Sequence, residues 1–201
     1  MDKYEIDARA KGFNAIAGLD EAGRGPLAGP VVAAAVIFAG LPTAALGIND
    51  SKKLSPKKRE LLVFDIFAVA ASVGVGICWP AEIDELNIHR ASLLAMERAV
   101  ASLSVTPDFL LIDGKFPIRS KTPQLPVISG DSLCVSIAAA SIIAKTTRDR
   151  LMESYDRLFP GYGLAGNQGY PTRGHLASLA SLGPTPIHRR TFRGVLPAGR
   201  P

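Results

Sequence analysis

Cysteine is scarce in this chain of 201 residues, where Cys78 and Cys134 are the only two. Both stand among apolar residues, so we expect reduced core thiols and no disulfide framework, as in cytoplasmic proteins. No apolar stretch typical of a signal peptide follows Met1. The longest apolar runs, near 31–39 and 61–64, are too short to span a bilayer. We therefore expect a cytoplasmic protein with no membrane association.

Histidine is equally rare, and none of the three histidines has metal-ligand spacing to another histidine or to a cysteine. This spacing argues against a zinc centre. No nucleophilic triad is visible, and the glycine-rich stretch 23–29 lacks the Gly-Lys-Ser/Thr ending of a P-loop.

Positive charge is in excess, with a net charge of +5 and a pI near 9.4. Such a balance favours an anionic partner such as nucleic acid. The basic residues collect at 52–53, 57–59, 148–150 and 189–193. Each run is either a solvated face or a phosphate contact, and for Lys52 and Lys53 phosphate contact is the favoured interpretation.

The stretch 18–26 carries two adjacent acids, Asp20 and Glu21, directly before the turn Gly23-Arg24-Gly25. Neighbouring side chains of a strand point to opposite faces, so we expect the backbone to leave extended geometry at the acids. The two glycines permit positive φ and a close approach of a ligand to the backbone. Arg24 adds a charged fork that suits a phosphate or a sugar edge.

Apolar runs at 31–38 and 109–113 predict buried strands, and a further strand is predicted at 73–79. Helices are predicted from Pro56 to about Ala71, after the cap Asn87, and from Gly130 to about Asp156. The alternation predicts one α/β domain in which helices cover a central sheet.

Acidic residues recur at the ends of predicted strands, with Asp113 after one strand and Asp131 at the start of the long helix. Taken singly, each is more readily explained as a turn residue or a helix-terminal charge. Together with Asp20 and Glu21 they form a set that would repel strongly unless a cation neutralises it. An all-oxygen set suits Mg²⁺ or Mn²⁺, and two such ions can act together on a phosphodiester.

Several motifs resemble the type 2 ribonucleases H (ribonuclease HII), in the bacterial form, almost end to end. They are Asp20-Glu-Ala-Gly-Arg-Gly25 with Pro26-Leu-Ala-Gly-Pro30, Asn49-Asp-Ser-Lys-Lys53, Leu111-Ile-Asp-Gly114, Gly130-Asp131 with Ser136 to Lys145, Gly169-Tyr-Pro-Thr172 with His175, and His188-Arg-Arg190 with Phe192.

The resemblance implies an α/β, RNase H-like fold with a central mixed sheet flanked by helices and a small helical or irregular C-terminal part at about 159–201. It also implies cleavage of RNA in RNA–DNA hybrids and nicking of duplex DNA on the 5′ side of an embedded ribonucleotide, by a protein that acts as a monomer with two Mg²⁺ or Mn²⁺ ions. The implied metal-binding carboxylates are Asp20, Glu21, Asp113 and Asp131. The implied contacts to scissile phosphate and ribose are Gly23, Arg24 and Gly25, and Tyr170 is implied to pack at the RNA-to-DNA junction.

Asp149 and Lys145 are expected outside the metal site. At 1.5 Å per residue, Asp149 would lie about 27 Å from Asp131 along a continuous helix. Asp149 is therefore predicted to be an i,i+4 partner of Lys145, which is left open as a phosphate or structural contact.

Two other functions remain open. One is a DNA strand-transfer enzyme with the same metal core, and the other is a non-catalytic nucleic-acid-binding protein. The Gly-Arg-Gly turn with Tyr170 argues against the first, and four clustered carboxylates argue against the second.

Overall fold

A computed structural model describes residues 1–40 and 56–196 of the chain. The strands are β1 (Ile16–Ala22), β2 (Val31–Phe38), β3 (Ala70–Cys78), β4 (Phe109–Asp113) and β5 (Gln124–Val127). The helices are α1 (Lys3–Ala10), α2 (Pro56–Val69), α3 (Pro80–Leu86), α4 (Ile88–Ala101), α5 (Val135–Leu158), α6 (Leu164–Asn167) and α7 (Arg173–Leu182). None of the helices in these two ranges is both long and apolar enough to cross a bilayer.

The five strands form one mixed sheet in the order β3-β2-β1-β4-β5. The first three strands in this order pair antiparallel, whereas β4 is parallel to both β1 and β5. The predicted mixed sheet is therefore present.

Every residue of β2 is buried, which confirms the expectation from its uninterrupted apolar sequence. One face of the sheet packs against α4, where Ala35 and Ile37 join the core with Ala95 and Met96. The other face packs against α5 and α2. The sheet is thus sandwiched between two helical layers.

Helix α5 lies close to β1 because Gly18 has no side chain. A Cβ at Gly18 would overlap the backbone of Ser136 and Ile137. The start of α5 is held by Glu5, whose Oε1 accepts hydrogen bonds from Ser136 N at 3.0 Å and Ser136 Oγ at 2.7 Å. A carboxylate in this position satisfies amides that have no partner within the helix.

Two predicted boundaries are wrong. The long helix begins at Val135, because Gly130–Ser132 form a separate 3-10 turn. Helix α2 ends at Val69, and Ala70 already belongs to β3. The predicted cap at Asn87 is confirmed, since its Oδ1 accepts hydrogen bonds from the first amides of α4.

Candidate functional site

Two parallel strands end side by side and bring acidic residues together. Leu19 of β1 is in register with Ile112 of β4, so the next residues, Asp20 and Asp113, lie beside each other. They border an open cleft of about 430 Å³. We call this space the cleft; its lining residues are Asp20, Glu21, Ala22, Gly23, Arg24, Gly25, Arg59, Asp113, Ser141, Lys145, Arg148 and Tyr170.

The backbone at the two adjacent acids does not leave extended geometry, contrary to the sequence-based expectation. Asp20 and Glu21 both pair in the ladder with β2, opposite Ala34 and Ala33. The two acids still border one cleft, because it opens around the end of β1, and Glu21 also borders a smaller pocket on the α4 side.

Two carboxylates of the cleft, Asp20 and Glu21, are harder to ionise than isolated carboxylates. Burial, followed by the negative charges of Glu21 and Asp113, raises the pKa of Asp20 well above its usual range. Burial also raises the pKa of Glu21, although Arg24 opposes this shift with an ion pair of 3.0 Å. Hydrogen bonds from the Ser141 hydroxyl and the Glu21 amide favour the charged form of Asp20.

Asp131 is buried in the 3-10 turn and does not border the cleft. It remains next to the acidic set through its neighbour Gly130, whose amide donates to Asp113 Oδ1 at 2.7 Å. The structure therefore brings three of the four predicted carboxylates around one space.

The Gly-Arg-Gly turn lies at the mouth of the cleft, between β1 and β2. Gly23 has φ +96°, as predicted, whereas Gly25 is not in the left-handed region. A Cβ at Gly23 would overlap the side chain of Arg148 and approach the Pro30 carbonyl. Glycine at position 23 is therefore required both by conformation and by space.

Tyr170 faces this turn. It is 46% exposed and borders the cleft, and a Cβ at Gly25 would lie 3.4 Å from Tyr170 Cε1. The turn and the aromatic ring thus lie side by side at the opening of the cleft.

Cationic side chains surround the acids. Lys145 and Arg59 both border the cleft, and both pair with Asp149, at 2.6 and 3.6 Å. The predicted Lys145–Asp149 pair is confirmed. Lys145 lies one turn beyond Ser141 and borders the cleft, so its distance from Asp131 along a continuous helix was a poor guide, because Asp131 is not part of α5.

Arg148 and Arg189 are the residues that sequence reasoning assigned wrongly. They were placed in basic surface runs, yet they are 1% and 0% exposed. Arg148 donates to the carbonyls of Pro30, Ala28 and Gln168 at 3.0–3.1 Å. Its spacing of four from Ala144 and Met152, both buried, was the available signal. Lys52 and Lys53 lie outside the described residues.

The donor set fits a hard divalent cation. Asp20, Glu21 and Asp113 offer only carboxylate oxygens, and their mutual repulsion would be relieved by positive charge. Within 1–40 and 56–196, no three acidic, histidine or cysteine side chains stand close enough to form a finished metal cage. Arg24 donates to one of the two carboxylate oxygens of Glu21, Oε1, so a cation held by Glu21 would lie next to this ion pair.

Comparison with known proteins decides the family. The family model for ribonuclease HII matches residues 17–195. The chain is a member of the ribonuclease HII family. A ribonuclease HII from Geobacter metallireducens is 58% identical over 194 residues, which cover 96% of this chain and 90% of the relative.

Solved structures agree with this assignment. The ribonuclease H2 of Pyrococcus horikoshii OT3 matches with a TM-score of 0.77 and 27% identity, covering 90% of this chain and 94% of that one. Bst-RNase HIII, solved in complex with Mn²⁺, matches with a TM-score of 0.67 and 21% identity over 90% of this chain and 68% of that one, and supports the fold alone.

The predicted RNase H-like fold is therefore confirmed. Family membership makes the chain a metal-dependent endoribonuclease with ribonuclease H activity on RNA–DNA hybrids.

Proposed function

We propose that this cleft also nicks duplex DNA on the 5′ side of a single embedded ribonucleotide and leaves 3′-hydroxyl and 5′-phosphate ends. The observation that carries the proposal is the shared cleft, in which the acids of β1 and β4 lie next to a glycine turn that faces Tyr170. Chemistry and sugar recognition would then occur at neighbouring points.

Asp20, Glu21 and Asp113 would hold Mg²⁺ or Mn²⁺, and we place Asp131 with them because its turn is tied to Asp113. Two bound ions supply activation of a water molecule and stabilisation of the leaving 3′ oxygen. Ser141 favours the charged form of Asp20 that such binding needs. Arg24, whose guanidinium is half exposed, would contact the scissile phosphate through its remaining N–H groups.

RNA is distinguished from DNA by the 2′-hydroxyl, which both donates and accepts hydrogen bonds. Gly23 and Gly25, which have no side chain, border the cleft with main-chain atoms on either side of Arg24, where a ribose next to the acids would lie. Tyr170 offers a flat apolar face beside the turn at this opening, suited to packing on the sugar of the next nucleotide.

Part of the C-terminal extension at 159–201 lies beside this opening. Gly169 O accepts a hydrogen bond from Leu27 N at 2.8 Å, directly after the glycine turn. Lys52 and Lys53 are proposed as further phosphate contacts, and the protein is proposed to act as a monomer.

The decisive experiment uses a DNA duplex with one ribonucleotide, incubated with Mg²⁺, with Mn²⁺ or with chelator, beside all-DNA and RNA–DNA hybrid duplexes. We expect a metal-dependent cut on the 5′ side of the ribonucleotide and no cut in the all-DNA duplex. Binding of the duplex without any cut would support the non-catalytic alternative instead.

Asp113→Asn tests the site itself. The neutral amide keeps the size of the side chain but weakens metal binding, so turnover should fall far more than duplex affinity. Asp65→Asn is the matched control, because Asp65 is exposed on α2 and does not border the cleft. Undiminished turnover of the Asp113 variant would show that the site has been misplaced.

A further inference from the structure

Residues 187–189 run along the loop that follows the glycine turn. Arg189 N donates to Leu27 O at 2.8 Å, and Gly29 N donates to Ile187 O at 2.9 Å. This short antiparallel contact fixes where the side chains of His188 and Arg189 enter the protein.

Arg189 is fully buried, and its guanidinium contacts main-chain carbonyls of the turn. Nε donates to Gly29 O at 3.0 Å, Nη1 to Arg24 O at 2.9 Å and Nη2 to Gly23 O at 2.5 Å. The planar fork can satisfy these carbonyls together, which the point charge of a lysine cannot do.

The orientation of these carbonyls fixes the amides on the other side. In a planar trans peptide the C=O of one residue and the N–H of the next point in opposite directions. With the carbonyls of Gly23 and Arg24 directed at Arg189, the N–H groups of Arg24 and Gly25 point away from it. Gly23, Arg24 and Gly25 border the cleft, whereas Arg189 does not.

His188 begins a second series of hydrogen bonds, which we call the His188 chain. The partner of each ring nitrogen indicates which nitrogen carries the proton. The amide of Thr185 donates to His188 Nδ1 at 3.0 Å, so neutral His188 carries its proton on Nε2. That nitrogen donates to His175 Nε2 at 3.1 Å. His175 then carries its proton on Nδ1 and donates it to the carbonyl of Tyr170 at 2.9 Å.

Both sets of hydrogen bonds end where the glycine turn and Tyr170 meet at the cleft. Arg189 holds the turn, and His175 holds the main chain of Tyr170. We propose that His188 and Arg189 are positioning residues for ribose selection: Arg189 orients the amides of the turn, and His188 acts through His175 to place Tyr170. This inference rests on the proposed function, since it assigns positioning partners to the groups proposed there to read the sugar.

A double-mutant cycle tests the His188 chain. His188→Phe keeps an aromatic ring but cannot donate to His175. We expect kcat/KM on the single-ribonucleotide duplex to fall roughly ten-fold, as for one lost hydrogen bond at the reacting geometry. The rate on a long RNA–DNA hybrid should change by about two-fold at most.

In a Tyr170→Ala background, His188→Phe should not change the ratio of the rate on the single-ribonucleotide duplex to the rate on the hybrid. The side chain of Tyr170, through which His188 acts, is then absent. His188→Gln, which restores an amide donor, should recover part of the ratio. An equal loss on both substrates, or the same change of ratio without Tyr170, would overturn the His188 assignment.

Arg189→Lys tests the other chain and keeps the charge while removing the fork. Because the turn contacts the ribose in both substrates, we expect both rates to fall together by about ten-fold or more through kcat. Arg157→Lys is the matched control, since Arg157 is exposed and, among the residues that the structure describes, its side chain donates only to Ser154. If Arg189→Lys cleaves both substrates as fast as this control, Arg189 does not position the turn.

Nitrogen-15 NMR of the unaltered protein gives a test independent of any variant. Neutral His188 should be protonated on Nε2 and neutral His175 on Nδ1, and the opposite tautomers would overturn the His188 chain. If the unaltered protein does not cut the ribonucleotide duplex, the proposed function fails. If it cuts and Tyr170→Ala selectively impairs that substrate, but the His188 and Arg189 variants are normal, only the present inference fails.

Discussion

The buried pair of histidines predicts an acid-dependent loss of stability that can be measured directly. Burial, with a smaller contribution from neighbouring His175, lowers the pKa of His188 from 6.5 to about 4. His188 is only 2% exposed, so a protonated ring would have to give up its hydration inside the protein. Protonation at Nδ1 would also place two N–H groups face to face across the 3.0 Å contact between the Thr185 amide and His188.

The sign follows from proton linkage. Between about pH 6.5 and pH 4 the unfolded chain takes up a proton at this position and the folded chain does not, so stability falls as the pH falls. The contribution is fully present above pH 6.5 and amounts to about 3 kcal/mol at most, of which about 2 kcal/mol is lost at pH 5. Asp20, Glu21 and Glu5 act in the opposite direction, because their raised pKa values make the folded state easier to protonate.

Comparison with His188→Gln cancels those carboxyl contributions. Urea unfolding of both proteins at pH 7.5 and pH 5 should give a stability difference that is smaller at pH 5 by about 2 kcal/mol. The difference shrinks because only the unaltered protein carries the histidine that the unfolded chain can protonate. A difference of the same size at both pH values would refute the reasoning.

Three further predictions concern the cleft. Gly23→Ala should lower the free energy of unfolding by about 2 kcal/mol or more, because φ is +96° and the new Cβ would overlap Arg148. It should also abolish cleavage. Urea unfolding measures the first effect and the duplex assay the second. Ser141→Ala should raise the pKa of Asp20 further and move the acid limb of the kcat/KM profile to higher pH, and an unmoved limb would contradict this contact. Lys145→Met should reduce the slope of log Kd against log salt by about one if this residue contacts a phosphate.

Local sequence patterns predicted the parts of the protein that local forces determine. The apolar run at 31–38 became a strand buried on both faces, and Asn87 caps α4 through its own side chain. Asp20 and Asp113 were correctly expected near each other, because parallel strands end at the same edge of a sheet, whereas Asp131 does not border the cleft. These features depend on residues that are close in the chain or on general rules of sheet packing.

The start of α5 was not predicted correctly from local sequence patterns. Gly130 and Asp131 follow a strand and precede an apolar helical pattern, so they resemble a helix start. Ser129 takes a left-handed conformation instead, and the next three residues form a 3-10 turn. Because the predicted helix start was wrong, the distance from Asp131 to Lys145 along that helix did not indicate that Lys145 borders the cleft.

The two buried arginines could not be predicted from the sequence for a different reason. Arg189 is separated from Gly23 by 166 positions, and its partners are backbone carbonyls, which every residue type possesses. The types of residue that accept these hydrogen bonds therefore give no indication of the contact in the sequence. Arg148 carried a weak signal, since it interrupts the buried face of α5.

Their burial also changes the electrostatics of the glycine turn. Burial lowers the pKa of Arg148 to about 10 and that of Arg189 to about 9, with the charge of Arg148 adding to the effect on Arg189. Both values stay well above pH 7, so two positive charges persist beneath the turn at neutral pH. Charges in a poorly hydrated interior act over longer distances than exposed ones and are little screened by salt. The phosphate contact proposed at the turn would therefore lie in a positive field, even though Asp20 and Glu21 lie in the adjoining strand.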